Sequence, residues 1–250
     1  MKEEDIDRVI DIAKEAGKAI LKIYNSENFE IEFKGDESPL TKADKEAHKI
    51  IVKGLNETQL PILSEEGKSI PYEQRKKWDA FWMVDPVDGT KEFIKRNGEF
   101  TVNIALVVNK EPVFGVVYAP VLDKLYYGGI DLGAFMIHNN EVTQLSKFKN
   151  ETDIVRIVAS RSHLNQDTQD YIDKHENTKI VSMGSSLKFM LVAEGKADVY
   201  PRFAPTMEWD TAAAHAVLQG INISVVEPKT RNELVYNKEN LLNPYFLVNE

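Results

Sequence analysis

Apolar residues at Ile6, Val9, Ile10, Ala13, Ala16, Ile20, Leu21 and Tyr24 recur every three or four positions. That spacing lays one apolar stripe along a helix, so it predicts an amphipathic first helix. A second helix is expected over about 43–55, with Ala47, Ile50, Ile51 and Leu55 turned inward. Between the two, Gly35-Asp36-Glu37-Ser38-Pro39 reads as a polar loop, because glycine and proline break either periodicity. The period then shortens to two. Strands are expected at 62–63 and 81–84, and at 101–108, where Val102, Ile104, Leu106 and Val108 share one face. Runs at 113–118, 124–127 and 134–137 continue the series, the last two joined through Gly128-Gly129.

After about Asn150 the texture changes to alternating strand and helix. Extended segments at 154–159, 180–181, 199–200 and 221–226 are separated by helical ones at 165–175, 187–194 and 211–218. Alternation of this kind suggests a layered α/β half (151–250) following an α+β half (1–150). With no repeat, low-complexity tract or flexible linker between them, the halves are expected to pack tightly. A cleft between them is then the default ligand site.

Composition narrows the partners. At 250 residues the chain has ample length for a core, and 42% hydrophobic with 28% charged residues is ordinary for a globular protein. The formal charge of −9 disfavours a nucleic-acid polymer, which is bound mainly by clustered Lys and Arg. A small phosphorylated ligand stays compatible, provided a metal inverts the local field. The absence of cysteine excludes disulfides, thiolate metal sites and cysteine nucleophiles. Met1-Lys2-Glu3-Glu4-Asp5 is acidic, unlike a signal peptide, and no apolar run approaches ~18 residues. The expectation is a cytoplasmic protein with no integral membrane segment.

The chemistry concentrates in Trp82-Met83-Val84-Asp85-Pro86-Val87-Asp88-Gly89-Thr90-Lys91-Glu92-Phe93. An apolar strand, expected to end at Asp85, delivers two carboxylates into a turn set by Pro86 and Gly89. Asp88 would then sit at or near the cap of a short helix, with the Gly89 and Thr90 amides exposed. Hard oxygen ligands beside free N–H groups suit a divalent cation gripping a phosphate. An Asp-capped helix after a turn is the plain alternative. Leu63-Ser64-Glu65-Glu66-Gly67 taken alone is a solvated loop, and Glu208-Trp209-Asp210-Thr211 alone is a helix cap. Both gain weight because two Asp residues cannot fill six oxygen positions on magnesium. Asp44, opening the second helix, reads alone as a first-turn acid favoured by the helix dipole.

Taken together, Leu63-Ser64-Glu65-Glu66, Asp85-Pro86-Val87-Asp88-Gly89-Thr90 and Trp209-Asp210-Thr211-Ala212-Ala213 resemble the inositol monophosphatase superfamily of lithium-sensitive, magnesium-dependent phosphatases. Four further segments look like its CysQ-like branch, the 3'(2'),5'-bisphosphate nucleotidases. These are Asp88-Gly89-Thr90-Lys91-Glu92-Phe93, Ala159-Ser160-Arg161-Ser162-His163, Gly184-Ser185-Ser186-Leu187-Lys188-Phe189 and Ala197-Asp198-Val199-Tyr200-Pro201-Arg202-Phe203.

The resemblance implies an α/β (α+β) fold, a layered αβαβα sandwich of the inositol monophosphatase/fructose-1,6-bisphosphatase type. It implies hydrolysis of adenosine 3',5'-bisphosphate to AMP, with two to three Mg2+ ions. Glu65, Asp85 and the Val87 carbonyl would hold one ion, and Asp85, Asp88 and Asp210 another, with Glu65 helping at a third. Thr90, oriented by Asp44, would position the attacking water. Gly89 and Thr90 amides would bind the phosphate. Ser160, Arg161, His163, Lys188 and Arg202 would form the wall for the second phosphate, and Gly184-Ser185-Ser186 at a helix start would form a second anion cradle. The other four histidines receive no role. Ala204 and Ala214 stand where the family usually has glycine, which bears on substrate preference. Relatives occur as monomers and as dimers, so a homodimer stays open. A phosphatase for inositol or sugar monophosphates and a non-catalytic sensor are the competing readings.

Overall fold

A computed structural model describes residues 2–26, 31–33, 39–159 and 164–249. The first helix, α1 (Glu3–Tyr24), carries Glu3, Glu4 and Asp5 in its first turn, where the helix dipole favours acids, and buries the predicted stripe. Strands β1 (Ile31–Phe33) and β2 (Pro39–Thr41) pair antiparallel, so Pro39 belongs to a strand and not to the expected loop. The remainder of that loop, 35–38, lies outside the described residues. Helix α2 (Lys42–Leu55) starts on a capping box. Thr41 Oγ1 accepts from the Ala43 amide, and the Thr41 amide donates to Asp44 Oδ2 at 2.8 Å.

The strands that follow build one sheet. They are β3 (Ile62–Ser64), β4 (Ala80–Asp88), β5 (Thr101–Val108), β6 (Glu111–Ala119), β7 (Lys124–Gly129), β8 (Gly133–His138) and β9 (Glu141–Gln144), hydrogen-bonded in that order. Only β3 and β4 run parallel within it. Short helices α3 (Tyr72–Arg75) and α4 (Thr90–Ile94) flank β4. Alternation sorts the side chains: Trp82, Val84, Val102 and Ile104 face α1 and α2, while Phe81, Met83, Ala105 and Val107 face the opposite side.

The later part of the chain contributes β10 (Val155–Val158), α5 (Gln166–Ile172), β11 (Thr178–Val181), α6 (Leu187–Ala193), β12 (Tyr200–Arg202), α7 (Ala212–Gln219), β13 (Val225–Val226) and β14 (Phe246–Val248). Helices α6 and α7 cover the second face of the large sheet. Strands β10 and β11 pair parallel, β12-β14-β13 form an antiparallel set, and an Ile157–Val199 bridge links the two. Val158, Tyr200, Val225, Phe246 and Val248 join the α6/α7 core. Ile157, Val199, Val226 and Leu247 instead pack with Tyr171 and Ile172 of α5. The layers therefore run αβαβα.

Several boundaries differ from the sequence reading. Strand β4 continues through Asp85 to Asp88, and its register against β5 shifts between those two residues. Asp85 faces Asn103 and Asp88 faces Thr101, so one extra residue is absorbed on the β4 side. Pro86, which has no N–H for the ladder, sits in that irregularity. Gly128 and Gly129 lie inside β7, and the turn to β8 falls at Ile130-Asp131-Leu132. Of 221–226 only Val225–Val226 is strand. At Gly115 the Ala213 carbonyl of α7 comes within 2.1 Å of where a Cβ would stand, so α7 lies with its backbone directly on β6.

Candidate active site

The β4 irregularity turns two carboxylates to the same side. Asp85, Asp88 and Asp210 each present an oxygen, and these three lie within 4.8 Å of one another. Asp85 is fully buried, and its Oδ1 accepts from the Val87 amide at 3.1 Å. Burial pushes its carboxyl far above the ordinary range, and the charges of Glu65, Asp88 and Asp210 push it further. Glu65 reaches the same spot from the end of β3, where its amide donates to the Val84 carbonyl at 3.1 Å. Asp210 is raised to about 8 by burial and by the neighbouring charge of Asp88. Its Oδ2 accepts from the Met207 amide at 2.8 Å in the turn preceding α7.

Four acids this close cannot all ionise without a cation among them. All the donors are hard oxygens, the set that magnesium and calcium prefer. The residues therefore fit a divalent cation, with the Val87 carbonyl beside them.

Thr90 opens α4 after Gly89, whose φ of 94° is the left-handed cap that glycine supplies at little cost. Gly89 is thus the cap residue and Asp88 precedes it. The Thr90 hydroxyl lies 3.3 Å from Asp44 Oδ1 and 3.3 Å from the Val87 carbonyl. Buried Asp44 is held from the other side, its Oδ2 accepting from both the amide and the hydroxyl of Thr41 at 2.8 and 2.5 Å.

A cleft of about 590 Å³ opens over Asp88, Gly89 and Asp210. Gly184, Ser185, Lys188 and Arg202 also line it, as do Lys91 and Lys95. Asp85 and Glu65 do not line the cleft. The Gly184 amide donates to Glu99 Oε2 at 2.8 Å, and the Ser185 hydroxyl donates to Asp88 Oδ2 at 2.7 Å. Those donors, expected to face an anion, are committed to carboxylates of the protein. Lys188 Nζ donates to the Ser185 carbonyl at 3.1 Å. Arg202 gives one terminal nitrogen to the Pro205 carbonyl at 3.1 Å, while its buried Nε has no acceptor among the described residues. Ser160, Arg161 and His163 lie outside the described residues, as does Ser162.

The family model described as "Inositol monophosphatase family" matches residues 1–245. The chain belongs to the inositol monophosphatase family. Within the family, the 3'(2'),5'-bisphosphate nucleotidase CysQ of Salmonella typhimurium (strain LT2) is 42% identical over 246 residues, covering 97% of this chain and 98% of that one. The same-named protein of Buchnera aphidicola is 44% identical over 216 residues, 85% and 80% of the two chains. The crystal structure of CysQ from Bacteroides thetaiotaomicron superposes with a TM-score of 0.89 at 48% identity, over 98% of this chain and 97% of that one. A staphylococcal inositol monophosphatase-1 soaked in 100 mM LiCl shares the fold at 20% identity, with a TM-score of 0.80 over 99% and 90%.

Sequence reasoning missed several polar residues at this family's site. Lys91 and Lys95 needed the helical offset of four that puts both in the cleft lining. Ser186, expected in the anion cradle, instead donates its hydroxyl to Asp88 Oδ2 at 2.7 Å. His215, given no role, is fully buried in α7. Its ring nitrogens lie 3.0 Å from the Tyr236 hydroxyl and 2.8 Å from Glu233 Oε2, and Tyr236 in turn reaches Thr211 Oγ1 at 3.2 Å. Among the described residues no helix is long and apolar enough to cross a membrane.

Proposed function

We propose that this chain is a magnesium-dependent 3'(2'),5'-bisphosphate nucleotidase that hydrolyses adenosine 3',5'-bisphosphate to AMP and phosphate. The observation that carries the proposal is the presence of clustered acids and of two cations in the lining of one cleft. Asp88 and Asp210, which cluster with Asp85, line the same cleft as Lys188 and Arg202. The acids suit a cation that holds the phosphoryl group undergoing attack. The two cations suit a second phosphate, and the unpartnered Arg202 Nε supplies a donor for it. A cleft of about 590 Å³ has room for a nucleotide. The CysQ relatives carry the name of this activity.

Divalent cations among Glu65, Asp85, Asp88, Asp210 and the Val87 carbonyl would neutralise the phosphoryl oxygens and lower the pKa of water. The protein residues then divide the work. Thr90 takes a proton of the attacking water on its hydroxyl oxygen while its own proton passes to Asp44 Oδ1, along the 3.3 Å contact. The two Thr41 donors occupy Asp44 Oδ2, so Oδ1 is the oxygen left for Thr90. Attack by the water oxygen breaks the phosphorus–ester bond, and the departing ribose oxygen takes a proton from solvent. The amides of Gly89 and Thr90, which lack intrahelical partners at the start of α4, donate to the phosphoryl oxygens. Gly184 and Ser185 shape the wall, and Lys188 and Arg202 hold the second phosphate. Ser160, Arg161 and His163 also bind the substrate in this reading.

The test compares Lys188→Met and Arg202→Met with the unsubstituted protein on adenosine 3',5'-bisphosphate and on AMP-sized monophosphates such as inositol 1-phosphate. Loss of one charge-assisted contact predicts about a tenfold or greater fall in kcat/KM for the bisphosphate, with little change for the monophosphate. Equal falls on both substrates, or none, overturn the second-phosphate assignment.

A further inference from the structure

We propose that Ser186 and Asn103, with Ser185 and Thr101, are positioning residues that fix Asp88 as a metal ligand through one oxygen only. The inference rests on the divalent-metal reading of the acid cluster and deepens it. Asp88 Oδ2 is surrounded by three donors. The hydroxyls of Ser185 and Ser186 each reach it at 2.7 Å, and the Ser186 amide at 2.5 Å. A carboxylate oxygen so engaged has no lone pair left for a cation, so Oδ1 is the oxygen available to one.

Proton counting makes the arrangement directional. An ionised carboxylate only accepts, so both serine hydroxyls must spend their single proton on Asp88. Each serine oxygen can then only accept from its other neighbours. Asn103 Nδ2 meets that need for Ser186 at 2.8 Å, and Thr101 Oγ1 meets it for Ser185 at 2.7 Å. Asn103 presents Nδ2 to Ser186 because the Ser186 oxygen, its proton spent on Asp88, is left as an acceptor. Thr101 and Asn103 are buried polar residues on β5, facing Asp88 and Asp85 across the ladder. They break an otherwise apolar strand, a costly choice unless their hydrogen bonds are used. The Asp210 carbonyl, 2.9 Å from Ser186 Oγ, competes for the same proton, and the charged Asp88 oxygen at 2.7 Å is the stronger acceptor. Asp88 and Ser186 are 98 residues apart, and the contact ties β4 to the start of α6.

Partners of ligating carboxylates of this sort are worth about 10- to 100-fold in metal affinity. The experiment is calorimetric titration of Mn2+ and Mg2+ into the substrate-free protein, with Tm measured in EDTA. Ser186→Ala is expected to weaken divalent binding by about tenfold or more, with Asn103→Leu moving in the same direction. Excess metal should then restore most of kcat for Ser186→Ala. Should Ser186→Ala not fold, Ser185→Ala carries the same expectation. Unchanged metal affinity alongside a lowered Tm would make these residues merely structural and overturn the proposal. Failure of the unsubstituted protein to bind either ion would sink the metal reading first, and this inference with it.

Discussion

Asp210→Asn should make the metal-free protein more stable while weakening its response to magnesium. Asp210 is raised from 3.8 to about 8, so at pH 7 the folded chain must either protonate it or hold its charge against Asp88 and Glu65. Protonating a carboxyl at pH 7 against an ordinary value of 3.8 costs about 4 kcal/mol, which is a ceiling. Arg202 offsets part of it, and the clustered acids share protons, so about 2 kcal/mol is a fair working figure. Because the folded carboxyl lies above its unfolded value, the penalty is absent below about pH 3.8, grows as pH rises, and is complete above about 8. Asparagine retains an oxygen for the Met207 amide and removes the charge. Differential scanning calorimetry in EDTA at pH 8 should show Tm raised by about 4–8 °C for a chain of this length, and the gain should vanish near pH 4. Millimolar magnesium should stabilise the unsubstituted protein more than the variant. A variant less stable in EDTA at both pH values would refute the reasoning and leave Asp210 a structural cap of the turn.

Two further substitutions separate packing from chemistry. Gly115→Ala places a Cβ 2.1 Å from the Ala213 carbonyl, where neither backbone can give way; overpacking of about 1–3 kcal/mol should lower Tm by about 2–12 °C, and an unchanged Tm would mean α7 is free to shift. Thr90→Val keeps the shape and removes the hydroxyl beside Asp44, so kcat should fall about 100-fold with metal affinity retained, and Thr90→Ser should recover activity. A fall smaller than about threefold would exclude Thr90 from proton transfer.

Much of this was legible in order of residues. The stripe from Ile6 to Tyr24 became α1, since one apolar face fixes a helix whatever its partner. β9 was invisible because every residue of Glu141–Gln144 is exposed and no apolar alternation marks it. The end of β4 was misjudged because proline ordinarily stops a strand, whereas here the bulge accommodates it. Asp85, Asp88 and Asp210 could be named from the chemistry of their segments, and the fold brings their oxygens together. The bracing of Asp88 could not be read in advance. Asn103 and Ser186 are 83 residues apart, and no local spacing encodes their contact. His215 was passed over for the same reason, its partners standing 18 and 21 residues further on.

The most direct test of the functional proposal is phosphate release with magnesium, comparing adenosine 3',5'-bisphosphate with inositol 1-phosphate. An acid cluster that shares one cleft with Lys188 and Arg202 predicts a preference for the nucleotide of about tenfold or more in kcat/KM, about 1.4 kcal/mol. A preference for the inositol ester would contradict it, keeping the metal site and removing the second-phosphate wall.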